Sequence, residues 1–287
     1  PISRTWTSSW ASAAAAATYT AIVPLQELIS LLILGLAAGA LGGMLGIGGA
    51  IIMIPVLTLL MGCNLHVPQA VAMIVNVFVS LPALLQHHRA KAVRWDVFIR
   101  MLPFGVLFIL IGVESSNRLD AELLERVFGA FLIYIVAINI SEMLSKKPEP
   151  PPEAQRVTWL RAGGTGAVTG FMAGLLGVGG GTIAVPLLQR VCRLPLRQCI
   201  ATTAAMMCIS ASFGAFIKNL SLAWLTDSTG AHLDASQSLL LAAALAPTAV
   251  IGGLIGGHLT HVLPLNVVRL AFVLLMSWAS ANMLGLL

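Results

Sequence analysis

Apolar residues occupy positions 28–61, 69–86, 97–113, 127–144, 163–188, 199–217, 238–257 and 266–287, with the polar residues gathered between these runs. Most of the runs match the ~17–25 residues an α-helix needs to cross a bilayer core. None shows the short alternating strands of a membrane β-barrel. In hydrocarbon every backbone N–H and C=O must be paired within the protein, so the helix is the element such runs can form. The pattern predicts an all-α membrane protein, a polytopic helical bundle.

Hydrophobic residues make up 58% of the 287-residue chain and charged residues 9%, with a mean hydropathy of +0.93. These fractions exclude an ordinary soluble domain. The net charge of +5 does not point to nucleic acid, because the basic residues lie in short connecting loops. There they set topology and anchor the chain to the lipid bilayer. Cys63, Cys192, Cys199 and Cys208 have no CxxC spacing and read as buried reduced thiols, with no metal and no cofactor implied. Residues 1–24 lack the charged start and clean apolar core of a signal peptide; they read as an N-terminal arm or an artificial edge, and carry no function.

The stretch "SKKPEPPPEAQR" at 145–156 is the long charged, proline-rich interval, and such a composition forms an extended solvated linker. It divides the chain into a first transmembrane repeat (25–144), the linker (145–157) and a second repeat (158–287). "GGMLGIGGAIIMIPVL" from Gly42 returns 131 residues later as "AGLLGVGGGTIAVPLL" from Ala173. Gly35, Gly39, Gly43, Gly46, Gly48, Gly49 and Pro55 all recur at that one offset. Beyond it the alignment loosens, with "PQAVAMIVN" answering "LRQCIATTA" and "LPFGVLFILIG" answering "APTAVIGGLIGG". Each half holds one broken glycine-rich unit and three further apolar segments, about 8–10 helical segments in total, the internal symmetry common in secondary transporters.

Loop charge sets the relative orientation of the halves. After the first broken unit the loop "MGCNLHVPQ" has no Lys or Arg, and the next carries Arg89, Lys91 and Arg94. In the second half the order reverses: Arg190, Arg193 and Arg197 come first, and the following loop has two aspartates and no cation beyond Lys218 at its edge. By the positive-inside rule the repeats are inverted, with the linker cytoplasmic and both termini outside the bacterial inner membrane.

Gly35, Gly39 and Gly43 share a helix face on which another helix can approach to backbone contact. The denser "GIGGA" and "GVGGGT" break the helix instead, since each glycine costs about 1 kcal/mol relative to alanine. A break at membrane depth has to line protein or a cavity. There Gly48 and Gly49, with Gly179, Gly180 and Gly181, would turn free backbone N–H groups toward a small anion. Thr182, Asn76, Thr202 and Thr203 are candidate neutral donors beside them, while Ser80, Ser210 and Ser212 fit bonding back to their own helix carbonyls equally well. His87 and His88 suit an interfacial anchor, and nothing marks a charged proton relay at mid-membrane.

The two glycine sentences, each followed by "PQAVA" or "RQCIATT", resemble the sulfite exporter TauE/SafE family of membrane permeases, from about Gln26 to Leu287. Where the family pattern has Thr-Ser after the alanine, the first half has Met73 and Ile74, and Asn76 is the substitute. The resemblance implies a secondary transporter, an exporter of sulfite, sulfoacetate or a related organosulfonate working by alternating access, with no catalytic residue. Such a protein is compatible with a homodimer and with a coupling proton or other ion. Rival readings are a carrier or importer of another small organic anion, a channel, and an intramembrane enzyme. The last lacks GxSG, HExxH or paired intramembrane aspartates.

Overall fold

The computed structural model describes residues 25–45, 48–144, 155–226, 232–259 and 265–286. The N-terminal arm, linker residues 145–154 and Gly46 lie outside this set. Among the described residues there are ten α-helices: α1 (Leu25–Leu45), α2 (Ala50–Met61), α3 (His66–Arg89), α4 (Trp95–Asn117), α5 (Ala121–Leu144), α6 (Trp159–Leu176), α7 (Gly181–Leu187), α8 (Leu196–Leu222), α9 (Ala235–Leu259) and α10 (Leu265–Met283). Five of them, α3, α4, α5, α8 and α9, are long and apolar enough to cross a membrane on their own.

The order repeats as α1–α5 and α6–α10, and the packing follows the repeat. The first helix of each half lies against the fourth of the other, α1 on α9 and α6 on α4, while α3 pairs with α8 and α5 with α10. The two halves therefore exchange their leading helices rather than standing side by side.

Glycine makes this exchange close. A Cβ at Gly166 would meet the backbone of Met101, one at Gly170 the carbonyl of Gly105, and one at Gly174 that of Ile109. Across the repeat the same contacts join Gly35 to Leu245, Gly39 to Ala249 and Gly43 to Gly253. Glycines on the partner helices answer in kind, Gly112 under the Phe171 carbonyl and Gly256 under that of Ala40. Backbones at this spacing gain dispersion contacts and weak Cα–H···O bonds that a side chain would forbid. The expected packing role of the four-residue glycine spacing thus has named partners.

Both in-helix prolines of the broken units lie within the restarted helices. α2 continues past Pro55, whereas α7 passes Pro186 and opens into a single π-turn at Leu188–Cys192. Proline leaves the carbonyl four residues earlier without its helical donor, and helices commonly yield near such points, π-turns among the ways they do so. This π-turn ends at Arg193 in the left-handed conformation, φ 53°.

The basic segments gather on one face. Arg94 reaches Gln155 Oε1 at 2.6 Å and Gln198 Oε1 at 3.3 Å, Arg100 donates to the Val157 carbonyl, and the Arg156 N–H donates to that of Cys192. On the opposite face the loops around residues 62–66, 117–122 and 224–226 surround one vestibule. The positive-inside rule gives the expectation that the first face is cytoplasmic. Native cysteines are poor reporters of this, since Cys192 is fully buried and burial pushes the Cys63 thiol up to about 11. With cysteine placed instead at exposed Lys91 or Trp224, an impermeant maleimide added to intact cells should label Trp224→Cys and spare Lys91→Cys; the reverse pattern would invert the topology.

Candidate functional site

The two breaks meet at the midpoint of the α3–α8 pair. Gly48 has φ +78°, Gly179 φ +72° and Gly180 φ +80°, left-handed conformations in which any residue with a Cβ is strained. The halves differ here: Gly49 is right-handed, at φ −77°, and caps α2, while Gly180, its counterpart, is left-handed and caps α7. Gly42 packs against the Gly48–Gly49 peptide, so the chain turns back directly beside α1.

Asn76 and Met207 lie between the breaks. A Cβ at Gly48 would sit 3.3 Å from Asn76 Oδ1 and 3.3 Å from Met207 Cε, and one at Gly179 would sit 2.5 Å from Asn76 Nδ2 and 3.2 Å from Met207 Cγ. Asn76 and Met207 are themselves 131 residues apart, so they are repeat mates that one unbroken offset through α3 and α8 identifies. Asn76 is ten residues into α3, about 15 Å from its start, and Met207 eleven into α8, about 16 Å from the opposite face. The breaks are therefore deep in the bundle, not hairpin turns at its surface.

Polar groups without a partner collect around them. Asn76 is 1% exposed, Thr203 2%, Thr169 3% and Thr182 4%, and Asn76 Nδ2 and the three threonine hydroxyls have no hydrogen-bond partner among the described residues. A buried polar group left so costs about 1–3 kcal/mol, and four of them in one layer call for something that accepts their protons. Thr203 is one helical turn from Met207 on the same face of α8, Thr182 is in the first turn of α7, and Thr169 Cγ2 lies against Gly180. In the first turn of α2, beginning at Ala50, Ile52 and Met53 donate to the Gly49 carbonyl, which leaves the Ala50 and Ile51 N–H groups as the donors without an intrahelical acceptor. From 67 to 85 in α3, 198 to 217 in α8, and throughout α2 and α7, there is no Asp, Glu, Lys or Arg. The arrangement can solvate a small oxyanion by neutral donors, in a layer of low dielectric where each counts for more than in water.

Of the other residues singled out by sequence, Gly181 starts α7 and is buried. Thr202 faces a different way from Thr203: its Oγ1 accepts the Arg94 N–H at 3.1 Å and so ties the start of α4 to α8. Ser80 donates to the Val77 carbonyl and Ser212 to that of Cys208. His88 packs edge-on against Trp95, at 5.7 Å between ring centres, in the manner of an interfacial anchor.

Besides Met207, two features escaped the sequence reading. Thr169 sits in a helix whose glycines explained it as packing surface. Lys218, read as the edge of a loop, is fully buried, and its Nζ lies 2.9 Å from His66 Nδ1, 2.9 Å from Ser116 Oγ and 2.8 Å from Asn117 Oδ1.

Comparison with known proteins follows the same outline. Residues 31–283 match the family described as sulfite exporter TauE/SafE. The chain is 24% identical over 288 residues to a probable membrane transporter protein, MamO, of Paramagnetospirillum magneticum, covering 90% of this chain and 44% of that protein. It is 26% identical over 294 residues to MamO of Magnetospirillum gryphiswaldense, covering 91% and 45%. It therefore spans less than half the length of these two relatives. Against the probable membrane transporter protein YunE of Bacillus subtilis it is 24% identical over 260 residues, 82% of this chain and 89% of that one. No solved structure gives a significant match.

Proposed function

This chain belongs to the sulfite exporter TauE/SafE family, and on that premise we propose that it is a secondary transporter of a small sulfur-containing oxyanion, exporting sulfite, sulfoacetate or a similar sulfonate by alternating access. The observation that carries this reading is the layer of unpartnered neutral donors, Asn76, Thr169, Thr182 and Thr203, where the two glycine breaks face each other. A tetrahedral or pyramidal oxyanion presents several acceptors at once and takes donors from both halves. Gly48, Gly49, Gly179, Gly180 and Gly181 keep side chains out of that space and let the first turn of α2 take part. Thr202 serves the reading indirectly, by holding α4 to α8. The repeat supplies the alternation: two intertwined halves related by inversion can expose one central site to either face in turn.

A ligand that binds the native state alone raises the melting temperature in proportion to the logarithm of its concentration. Purified protein screened with sulfite, sulfoacetate, taurine, thiosulfate, sulfate and acetate should be stabilised by a sulfur oxyanion at millimolar levels, and not by acetate. Stabilisation by carboxylates alone would transfer the reading to another organic anion.

A further inference from the structure

Lys218 has no carboxylate within 4 Å among the described residues. A lysine buried in a spanning helix without a counter-ion is expensive, and such residues mark ion and proton paths in membrane proteins. Its surroundings are built for one: three acceptors, His66 Nδ1, Ser116 Oγ and Asn117 Oδ1, match the three N–H donors of an ammonium. Ser116 in turn donates to Gln69 Oε1 at 2.9 Å, and Gln69 Nε2 donates to the Leu175 carbonyl at 3.0 Å. That carbonyl lies in the last turn of α6, two residues before Gly177, and Gly177 packs on Gln69 itself.

On the other side, His66 and Asn117 line the floor of the vestibule, a cavity of about 890 Å³ whose rim carries Arg118, Asp120, Glu122 and Glu125. The titratable group facing Lys218 from α3 is His66, and α4 presents only the uncharged Ser116 and Asn117. The rim charges stand off across the vestibule, and Arg118 is paired outward with Glu114.

We propose that the Lys218–His66 pair is the proton-coupling site of this transporter, loaded from the vestibule and read by the glycine break of the second half through Ser116, Gln69 and Leu175. The inference rests on the transport reading above. In the loaded state the ammonium donates to all three acceptors. To unload, Lys218 passes one proton to His66 Nδ1 while the other ring nitrogen releases one to vestibule water. The amine then keeps two N–H donors for Ser116 and Asn117 and accepts from His66 Nδ1–H; one proton leaves, and the Leu119 backbone carbonyl that the second ring nitrogen served takes vestibule water instead. Because Gln69 holds the end of α6, a change in this chain acts on the segment that places Gly179 and Gly180 beside Asn76 and Thr169.

The test uses proteoliposomes of the full chain and ³⁵S-labelled sulfoacetate, whose charge is constant near neutral pH, in two assays. Exchange at equal pH measures the anion path alone, and accumulation driven by an imposed pH gradient of either sign measures coupling. Wild type should do both. Lys218→Met and His66→Gln should exchange within about two-fold of wild type and lose gradient-driven accumulation at least ten-fold. Acid outside driving accumulation would identify co-transport, and acid inside would identify proton–anion exchange. A wild type that exchanges but ignores both gradients, or a variant that exchanges and still accumulates, overturns the coupling site and leaves the transport reading standing. Loss of exchange in both variants, purified as monodisperse protein, assigns the lysine to the fold or the anion path and also overturns it. Absence of exchange in wild type removes the transport reading, and the coupling site with it.

Discussion

Leucine at Gly170 should leave almost no folded protein to assay, while leucine at Gly164, six residues earlier on the same helix, should be tolerated. A Cβ at Gly170 meets the backbone of Gly105, with its Cα at 2.9 Å, whereas one at Gly164 has nothing within 4 Å. Backbone cannot swing aside as a side chain does, so α6 and α4 would have to separate along the whole seam from Gly166 to Gly174. Overpacking of ordinary cores already costs about 1–3 kcal/mol, and here the helix pair that locks the two halves is lost as well. Size-exclusion profiles of detergent-solubilised fusions would show aggregate for Gly170→Leu and a wild-type peak for Gly164→Leu. By the repeat, Gly39→Leu should behave as Gly170→Leu does. A monodisperse Gly170→Leu would mean the α4–α6 seam is looser than its glycines imply.

The second large effect is on binding. Asn76→Ala should abolish stabilisation by the sulfur oxyanion while leaving the ligand-free melting temperature within a few degrees of wild type. Its Nδ2 has no hydrogen-bond partner among the described residues, so relief from burying an idle donor offsets the lost packing. A hydrogen bond to a charged acceptor contributes about 1.5–3 kcal/mol, so affinity should fall roughly ten- to hundred-fold. Thr203→Val, nearly equal in volume, should weaken binding in the same direction. Unchanged affinity in a folded Asn76→Ala, Thr203→Val double variant would remove the donor layer from the proposal and leave the glycine breaks without a ligand.

How far these features can be read from sequence depends on whether they are local. The glycines four apart, the two broken units and the reversal of loop charge are written along the chain, and each has its place in the structure. Their partners are not so written. Gly39 signals a close approach, but nothing near it names Ala249, because that contact is decided by how the halves interlock. Met207 went unnoticed because the loosened alignment of "PQAVAMIVN" with "LRQCIATTA" shifts the offset by three; keeping 131 through α3 and α8 pairs it with Asn76 directly. Lys218 was misread for a physical reason. A lysine near the end of an apolar run ordinarily extends its ammonium to the interface. Here His66 and the end of α4 close over it, a tertiary event with no local trace. Thr202 and Thr203 are adjacent and chemically alike, yet the helix turns one to Arg94 and leaves the other among the donors at the break.

The exchange of leading helices also has a consequence in time. Of the ten helices described, α1 is synthesised first, but the surface it needs, from Leu245 to Gly253, follows Gly35 by about 210 residues. At the usual ~5–20 residues per second, the glycine face of α1 stays without its partner for about ten to forty seconds of synthesis. α6 finds α4 already made, so the second half closes its seam on emergence. Assembly of these helices is therefore asymmetric in order although nearly symmetric in form, and of the two glycine seams the one between α1 and α9 is the later to shut.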